Sequence, residues 1–133
     1  MEQTLLIIKP NAVKDNNIGA IISILEKKGL IIKTIKMETF TRVRAERFYE
    51  IHRGKEFYER LITFMTSGPI IHLVLEHENC VEYVREIIGA TDPQKAAGST
   101  IRKLYAKNVT ENAVHASDSN ENAIKEISFI FDE

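Results

Sequence analysis

Thr4-Leu5-Leu6-Ile7-Ile8 is a continuous apolar run near the start of the chain. It is long enough for a buried strand and too short for a helix, so any fold of this chain must enclose it. Lys9-Pro10 ends the run, because proline cannot donate to a ladder and restricts the residue before it.

The pattern after this strand changes period several times. Asp15-Asn16-Asn17 is turn-prone, and Ile18, Ile21, Ile22 and Leu25 then mark a helical face closed by Lys27-Lys28-Gly29. Leu30 to Phe40 is β-branched and partly alternating, the signature of a half-exposed antiparallel strand. Ala45, Phe48, Tyr49 and His52 predict a helix stopped at Gly54, and Phe57, Leu61, Phe64 and Met65 another stopped at Ser67-Gly68-Pro69. Ile70 to Leu75 reads as a strand. Val81, Val84, Ile87 and Ile88 read as a helix ended by Gly89. Residues 89–110 are turn-rich, with a short helical patch at Ile101 to Tyr105, and loops of that length are usually functional or disordered. Ala113-Val114-His115 is a short last strand. Asp118 with Glu121 resembles a capping box before a final helix on Ala123, Ile124, Ile127 and Ile130.

Stripped of additions, this order is a ferredoxin-like β-α-β-β-α-β core. The expected fold is α+β: a four-stranded antiparallel sheet with helices on one face, plus added helices and one long loop. A chain of 133 residues makes a single domain over 1–133 and can bury a core without disulfides. Lys+Arg (18) nearly balances Asp+Glu (19), which argues against a dedicated nucleic-acid binder. The lone Cys80 cannot form an internal disulfide and reads as packing in a reducing compartment. No signal-peptide pattern opens the chain and no run approaches a membrane span, so the expected location is the cytosol.

The residues able to do chemistry gather at the joints between elements. They are Lys9 after the first strand, Arg85 on the helix before the long loop, Thr91 and Arg102 in that loop, Asn112, His115 and Ser117 around the last strand, and Glu126 on the final helix. Three cations and an imidazole at element edges point to a polyanion with a reacting centre. Small neighbours leave His115 accessible, and a near-neutral imidazole can act as base, ligand or nucleophile. Taken singly, each of these residues is an ordinary surface or packing group. His52, His72 and His77 are read that way, on a helix, in a strand and in the turn Glu76-His77-Glu78. No His or Cys pair has zinc spacing, and neither common phosphate loop, G-x-x-x-x-G-K-[ST] nor the kinase Gly-rich loop, is present.

Taken together, these residues resemble the nucleoside diphosphate kinase family. The likeness rests on Ile7-Ile8-Lys9-Pro10-Asn11-Ala12-Val13, Phe64-Met65-Thr66-Ser67-Gly68-Pro69, Arg85-Glu86-Ile87-Ile88-Gly89-Ala90-Thr91, Thr100-Ile101-Arg102 and Asn112-Ala113-Val114-His115-Ala116-Ser117-Asp118-Ser119. It covers almost the whole chain in order and spacing. The resemblance implies ping-pong transfer of a γ-phosphate from a nucleoside triphosphate, typically ATP, to a different nucleoside diphosphate through a phosphohistidine at His115.

The roles implied by the resemblance follow position by position. Arg85, Thr91 and Arg102 would hold the diphosphate. Lys9 would lie near the sugar 3′-hydroxyl and the transferring group, and Asn112 would bond the sugar. Phe57 would stack on the base in a slot lined by Leu61 and Val109. Tyr49 and Ser117 would flank His115, and Glu126 would orient its ring. Magnesium would ride on the phosphates, and the family assembles as tetramers or hexamers, so a homo-oligomer is expected. Two other readings stand beside this one. A non-catalytic scaffold of the same fold, binding nucleotides or proteins, would lack some of these residues, and none is missing. An RNA-binding module would need an aromatic strand that this chain lacks.

Three positions depart from the family pattern. Asn11 stands for the usual aspartate, Ala116 for the usual glycine, and Gly98-Ser99 for the usual Pro-Gly. Alanine resists positive φ, so the backbone at 116 must be one that alanine adopts. Losing proline should leave the long loop less rigid.

Overall fold

The apolar run becomes the inner strand β1 (Glu2–Ile8), in a computed structural model that describes residues 1–132. β1 pairs antiparallel with β3 (Ile70–His77) on one side and with β4 (Val114–Ala116) on the other. β2 (Ile31–Glu38) pairs antiparallel with β3 at the outer edge, giving the order β2-β3-β1-β4. This is the ferredoxin-like arrangement expected from the element order.

Alternate side chains of β1 feed two cores, because successive residues of a strand point to opposite faces. Leu6 and Ile8 pack with Ile21 and Leu25 of α2 (Ile18–Lys27) and with Val84 and Ile88 of α5 (Cys80–Ile88). Leu5 and Ile7 pack with Ala45 of α3 (Arg42–Phe48), Ile62 and Met65 of α4 (Tyr58–Met65), and Ile130 of α7 (Asn120–Phe131). The two core helices share one face, and the added helices cover the other. All four β1 residues are fully buried, and truncating Leu6 or Ile8 to alanine would cost about 2–5 kcal/mol.

Five local features differ from the sequence reading, the first being that the last strand runs over Val114–Ala116 and leaves Ala113 outside it. Lys9-Pro10 ends β1 but also opens a short helix, α1 (Pro10–Lys14), since proline at the first helical position has the right φ and needs no N–H. The helix expected through His52 stops at Phe48 and continues as a 3-10 turn over Glu50–His52. His77 is the last residue of β3 rather than part of a turn. The cap of α7 is Ser119, whose Oγ accepts from the Asn122 N–H at 3.1 Å, three residues on. Asp118 lies one residue too early for that role and accepts instead from Asn122 Nδ2 at 2.6 Å.

The helical patch forms as α6 (Ile101–Tyr105), capped by the Thr100 hydroxyl. Cys80 is buried and its thiol donates to the Leu75 carbonyl at 3.4 Å, a packing role. Among the described residues, no helix is long and apolar enough to cross a membrane.

Candidate active site

The ends of these elements meet at one cavity of about 560 Å3. Lys9 enters from the end of β1, Asn112 and His115 from β4 and the turn before it, and Glu126 from α7. Arg85 comes from α5 and Arg102 from α6. Tyr49 lies behind His115, while Thr91, Phe57, Leu61 and Val109 stand around the mouth. Ser117 does not line the cavity. It is fully buried, and its hydroxyl donates to Glu126. A larger open groove of about 880 Å3 runs between α4 and residues 108–111, with no histidine and no buried cation along it.

His115 reaches the cavity through an unusual turn. The Val114 N–H donates to the Asn112 carbonyl at 2.9 Å across Ala113, which sits at φ 75. This is a γ-turn of the strained, positive-φ kind, and such strain costs about 1–3 kcal/mol. The Lys9 N–H donates to the Ala113 carbonyl at 2.8 Å and ties the turn to the end of β1. Ala116 is not among the positive-φ residues, so alanine is accommodated where the family pattern has glycine.

The imidazole is held from one side only. His115 Nε2 lies 2.8 Å from Glu126 Oε1, and the Ser117 hydroxyl donates to the same oxygen at 2.7 Å. An ionised carboxylate only accepts, so Nε2 carries the proton. In the neutral ring Nδ1 is then the nitrogen with a free electron pair. The rings of Phe48 and Tyr49 meet His115 edge-on, with centroids 5.5 and 6.3 Å away. The Tyr49 hydroxyl is buried without a partner among the described residues. Burial, aided by the Glu126 charge, pushes it well above the ordinary phenol range, so it stays protonated.

Two of the three cations are unusually dry, while Arg85 is exposed. Lys9 is 6% exposed and donates from Nζ to Asn112 Oδ1 at 2.7 Å. Burial, and then the charge of Arg102, brings its ammonium down to about 7. Arg102 is 5% exposed and donates to the carbonyls of Gly89 at 3.1 Å and Val114 at 3.0 Å. Burial, and then the charge of Arg85, brings it down to about 10. Arg85 itself donates to the Ala116 carbonyl at 3.2 Å. All three are bonded to neutral oxygens rather than to carboxylates, so their positive potential is left for an incoming anion.

Gly89 is essential to this clamp. It sits at φ 86, and a Cβ there would meet the Thr100 side chain at 2.5 Å. The close approach of α5 and α6 that presents Arg102 needs a residue without a side chain at this point.

A model of the nucleoside diphosphate kinase family matches residues 2–133. The chain belongs to this family. It is 51% identical to the nucleoside diphosphate kinase of Sorangium cellulosum over 131 residues, covering 98% of this chain and 91% of that one. It is 52% identical to the enzyme of Ehrlichia ruminantium over 133 residues, covering 100% and 93%. Its structure superposes on the Aquifex aeolicus nucleoside diphosphate kinase with a TM-score of 0.95 at 44% identity, covering 98% of this chain and 94% of that chain.

Against the nucleoside diphosphate kinase pattern, Asn11 has a clear local role. It is buried, and its Nδ2 donates to the carbonyls of Tyr105 at 3.5 Å and Glu111 at 3.3 Å. An amide can donate to two carbonyls; an ionised aspartate in the same pose would repel them.

His52, read from sequence as an ordinary surface or packing histidine, lines the cavity. Its ring stacks on Tyr49 at 6.2 Å and tilts against Phe57 at 5.3 Å. Burial, and then the charge of Lys55, lowers its pKa. Its place three residues after Tyr49, on one face of the helix that the sequence predicts there, was the available signal.

Proposed function

We propose that this chain transfers the γ-phosphate of a nucleoside triphosphate to a nucleoside diphosphate through a covalent phosphohistidine at His115. The observation that carries the reading is the one-sided hold on His115, with Nε2 engaged by Glu126 beside a cavity rich in unpaired positive charge.

In the forward half, the electron pair of Nδ1 attacks the γ-phosphorus. The bond from γ-phosphorus to the bridging oxygen breaks, and its electrons leave on the nucleoside diphosphate. In the second half, a terminal oxygen of a different diphosphate attacks the same phosphorus and returns the electron pair to Nδ1. The phosphorylated ring is cationic at Nε2–H, and Glu126 with Ser117 offsets that charge where it develops. A nitrogen nucleophile suits exchange near equilibrium, since the phosphoramidate stays energetic enough to pass on.

The remaining residues supply position and charge. Arg85, Thr91 and Arg102 hold the diphosphate. Lys9 supports the sugar 3′-oxygen and the moving phosphoryl group, and Asn112 bonds the sugar. Tyr49 backs the His115 ring and keeps an unused hydroxyl donor at the reacting centre. Phe57 stacks the base, with Leu61 and Val109 beside it. Stacking contributes about 1–3 kcal/mol and is indifferent to the base, which favours broad base and sugar tolerance.

Asp118 and Glu126 are the carboxylates that face the cavity, and both are already engaged, with Asn122 and with His115 and Ser117. This donor set fits magnesium carried in on nucleotide oxygens better than an ion held by the protein. When present, the ion offsets phosphate charge and fixes the polyphosphate conformation.

The chain acts as one domain in the cytosol, as a homo-oligomer. β2 is an edge strand with Ile31, Ile35 and Met37 exposed, a surface that a second copy would cover.

One assay tests the reading. Protein incubated with γ-labelled ATP should carry acid-labile, base-stable label that moves to added GDP. Wild-type protein that takes up no label, or His115→Ala that still takes it up, overturns the assignment.

A further inference from the structure

The last turn of α7 contains no lysine or arginine of its own, so its outgoing carbonyls lack a local cation. Two cations arrive from other elements. Arg44 of α3 donates from Nη2 to the Ile130 carbonyl at 3.3 Å, and Lys36 of β2 donates from Nζ to the same oxygen at 3.1 Å. The Arg44 guanidinium also lies 5.0 Å from the Phe129 ring and 5.8 Å from that of Phe40.

Glu38, the last residue of β2, stands behind Arg44. It accepts from Arg44 Nε at 3.0 Å and Nη2 at 3.2 Å. His72 of β3, fully buried, brings Nε2 to 2.6 Å from Glu38 Oε1. Burial takes this imidazole down to about 4 despite the carboxylate beside it, so the ring is neutral and donates through Nε2. Burial opposes ionisation of Glu38, but the bonds from Arg44 and His72 outweigh it and hold its carboxyl below the ordinary value.

A partly buried ionic cluster of this kind is a poor source of stability, because apolar residues of similar shape often do as well or better. Its better-attested use is to fix one arrangement, which here is the docking of α7. Glu126 lies one helical turn before Ile130, on the same helix that Arg44 clamps. A second contact route runs through rings: Phe48 is 5.7 Å from Phe129 and 5.5 Å from His115.

We propose that Arg44, held by Glu38 and His72, is a positioning residue for phosphoryl transfer: by fixing the last turn of α7 it keeps Glu126 against Nε2 of His115. This rests on the role given above to His115. Arg44 touches neither nucleotide nor reacting atoms and acts through α7.

The test uses the full chain and reads both the first half-reaction and the ring itself. Arg44→Met keeps the apolar stem over Phe40 and Phe129. It should slow phosphohistidine formation about tenfold, in line with couplings carried through packed networks, with nucleotide affinity unchanged. Histidine 15N spectra should show a population of His115 protonated at Nδ1. In a Glu126→Gln background, where the clamp has nothing left to hold, the same substitution should add less than about a twofold loss.

Arg44→Lys, which keeps charge without the fork, should rescue in part. If Arg44→Met does not fold, Glu38→Gln and Arg44→Lys carry the same comparison. Folded variants with the wild-type rate and tautomer overturn the proposal, as does a penalty that multiplies fully with Glu126→Gln. If the wild type takes no label at His115, the reading of His115 fails, while the tautomer measurement still reports on the clamp.

Discussion

Glu126 reaches across from the terminal helix to His115 at 2.8 Å, and the carboxylate oxygen that it uses also receives the Ser117 hydroxyl at 2.7 Å. One oxygen therefore fixes both the orientation and the tautomer of the ring. Glu126→Gln keeps the shape but can present an N–H to Nε2, which favours the wrong tautomer. Phosphohistidine formation in single turnover should fall about 10–100-fold, the range seen for partners that orient a functional histidine, with little change in nucleotide affinity. An unchanged rate would remove the orienting role.

Lys9 should take up a proton when nucleotide binds. Its ammonium is brought down to about 7 by burial and by Arg102, so at pH 8 it is mostly neutral in the empty protein. A polyphosphate beside it favours the charged form. Calorimetry of ADP binding at pH 8, in buffers of different ionisation enthalpy, should report uptake approaching about one proton. Lys9→Gln should abolish most of it, and equal uptake in that variant would refute the assignment. The sign for stability follows from the same shift. The unfolded chain binds more protons between about 7 and 10.5, so Lys9 contributes stability that rises with pH across that window and is lost as pH falls through about 7.

Gly89→Ala should damage both fold and site. The new Cβ would meet Thr100 at 2.5 Å, at a φ of 86 that alanine resists. Destabilisation of about 2–4 kcal/mol is expected in denaturant unfolding. The Gly89 carbonyl that anchors Arg102 moves with it, so KM for nucleotide should rise in the fraction that remains folded.

Ala113→Gly should act in the opposite direction on stability. Glycine accepts φ 75 without strain, although it gives the unfolded chain more freedom. A net gain of about 0.5–1 kcal/mol is expected by urea unfolding. A loss of that size would mean the turn is not strained.

Local order in the sequence made much of this molecule readable. The apolar run of β1, the spacing of Ile18, Ile21 and Leu25, and the run before Gly89 each follow one period and became the elements expected. What was missed depends on contacts or dihedrals that residue type does not advertise. Alanine gives no sign that position 113 has positive φ. Proline after a strand reads as a stop, yet at Pro10 it also starts a helix. The cluster of Glu38, Arg44 and His72 joins β2, α3 and β3, and only the ladder that sets Lys36 opposite His72 brings them together. His52 gives no signal of its own, because a lone histidine is usually a surface or packing residue. The site residues legible in the sequence were those whose spacing matched a known family. All of them except Ser117 line one cavity.

The most direct measurement is the position of the phosphate on the ring. Protein labelled with 15N-histidine, phosphorylated with ATP and unfolded in base, can be read by 31P–15N NMR, which distinguishes the two ring nitrogens by their couplings. A phosphoryl group bonded to Nδ1 of His115 is the predicted result. A phosphoryl group on Nε2, the nitrogen that Glu126 holds, or on no histidine at all, would contradict the account.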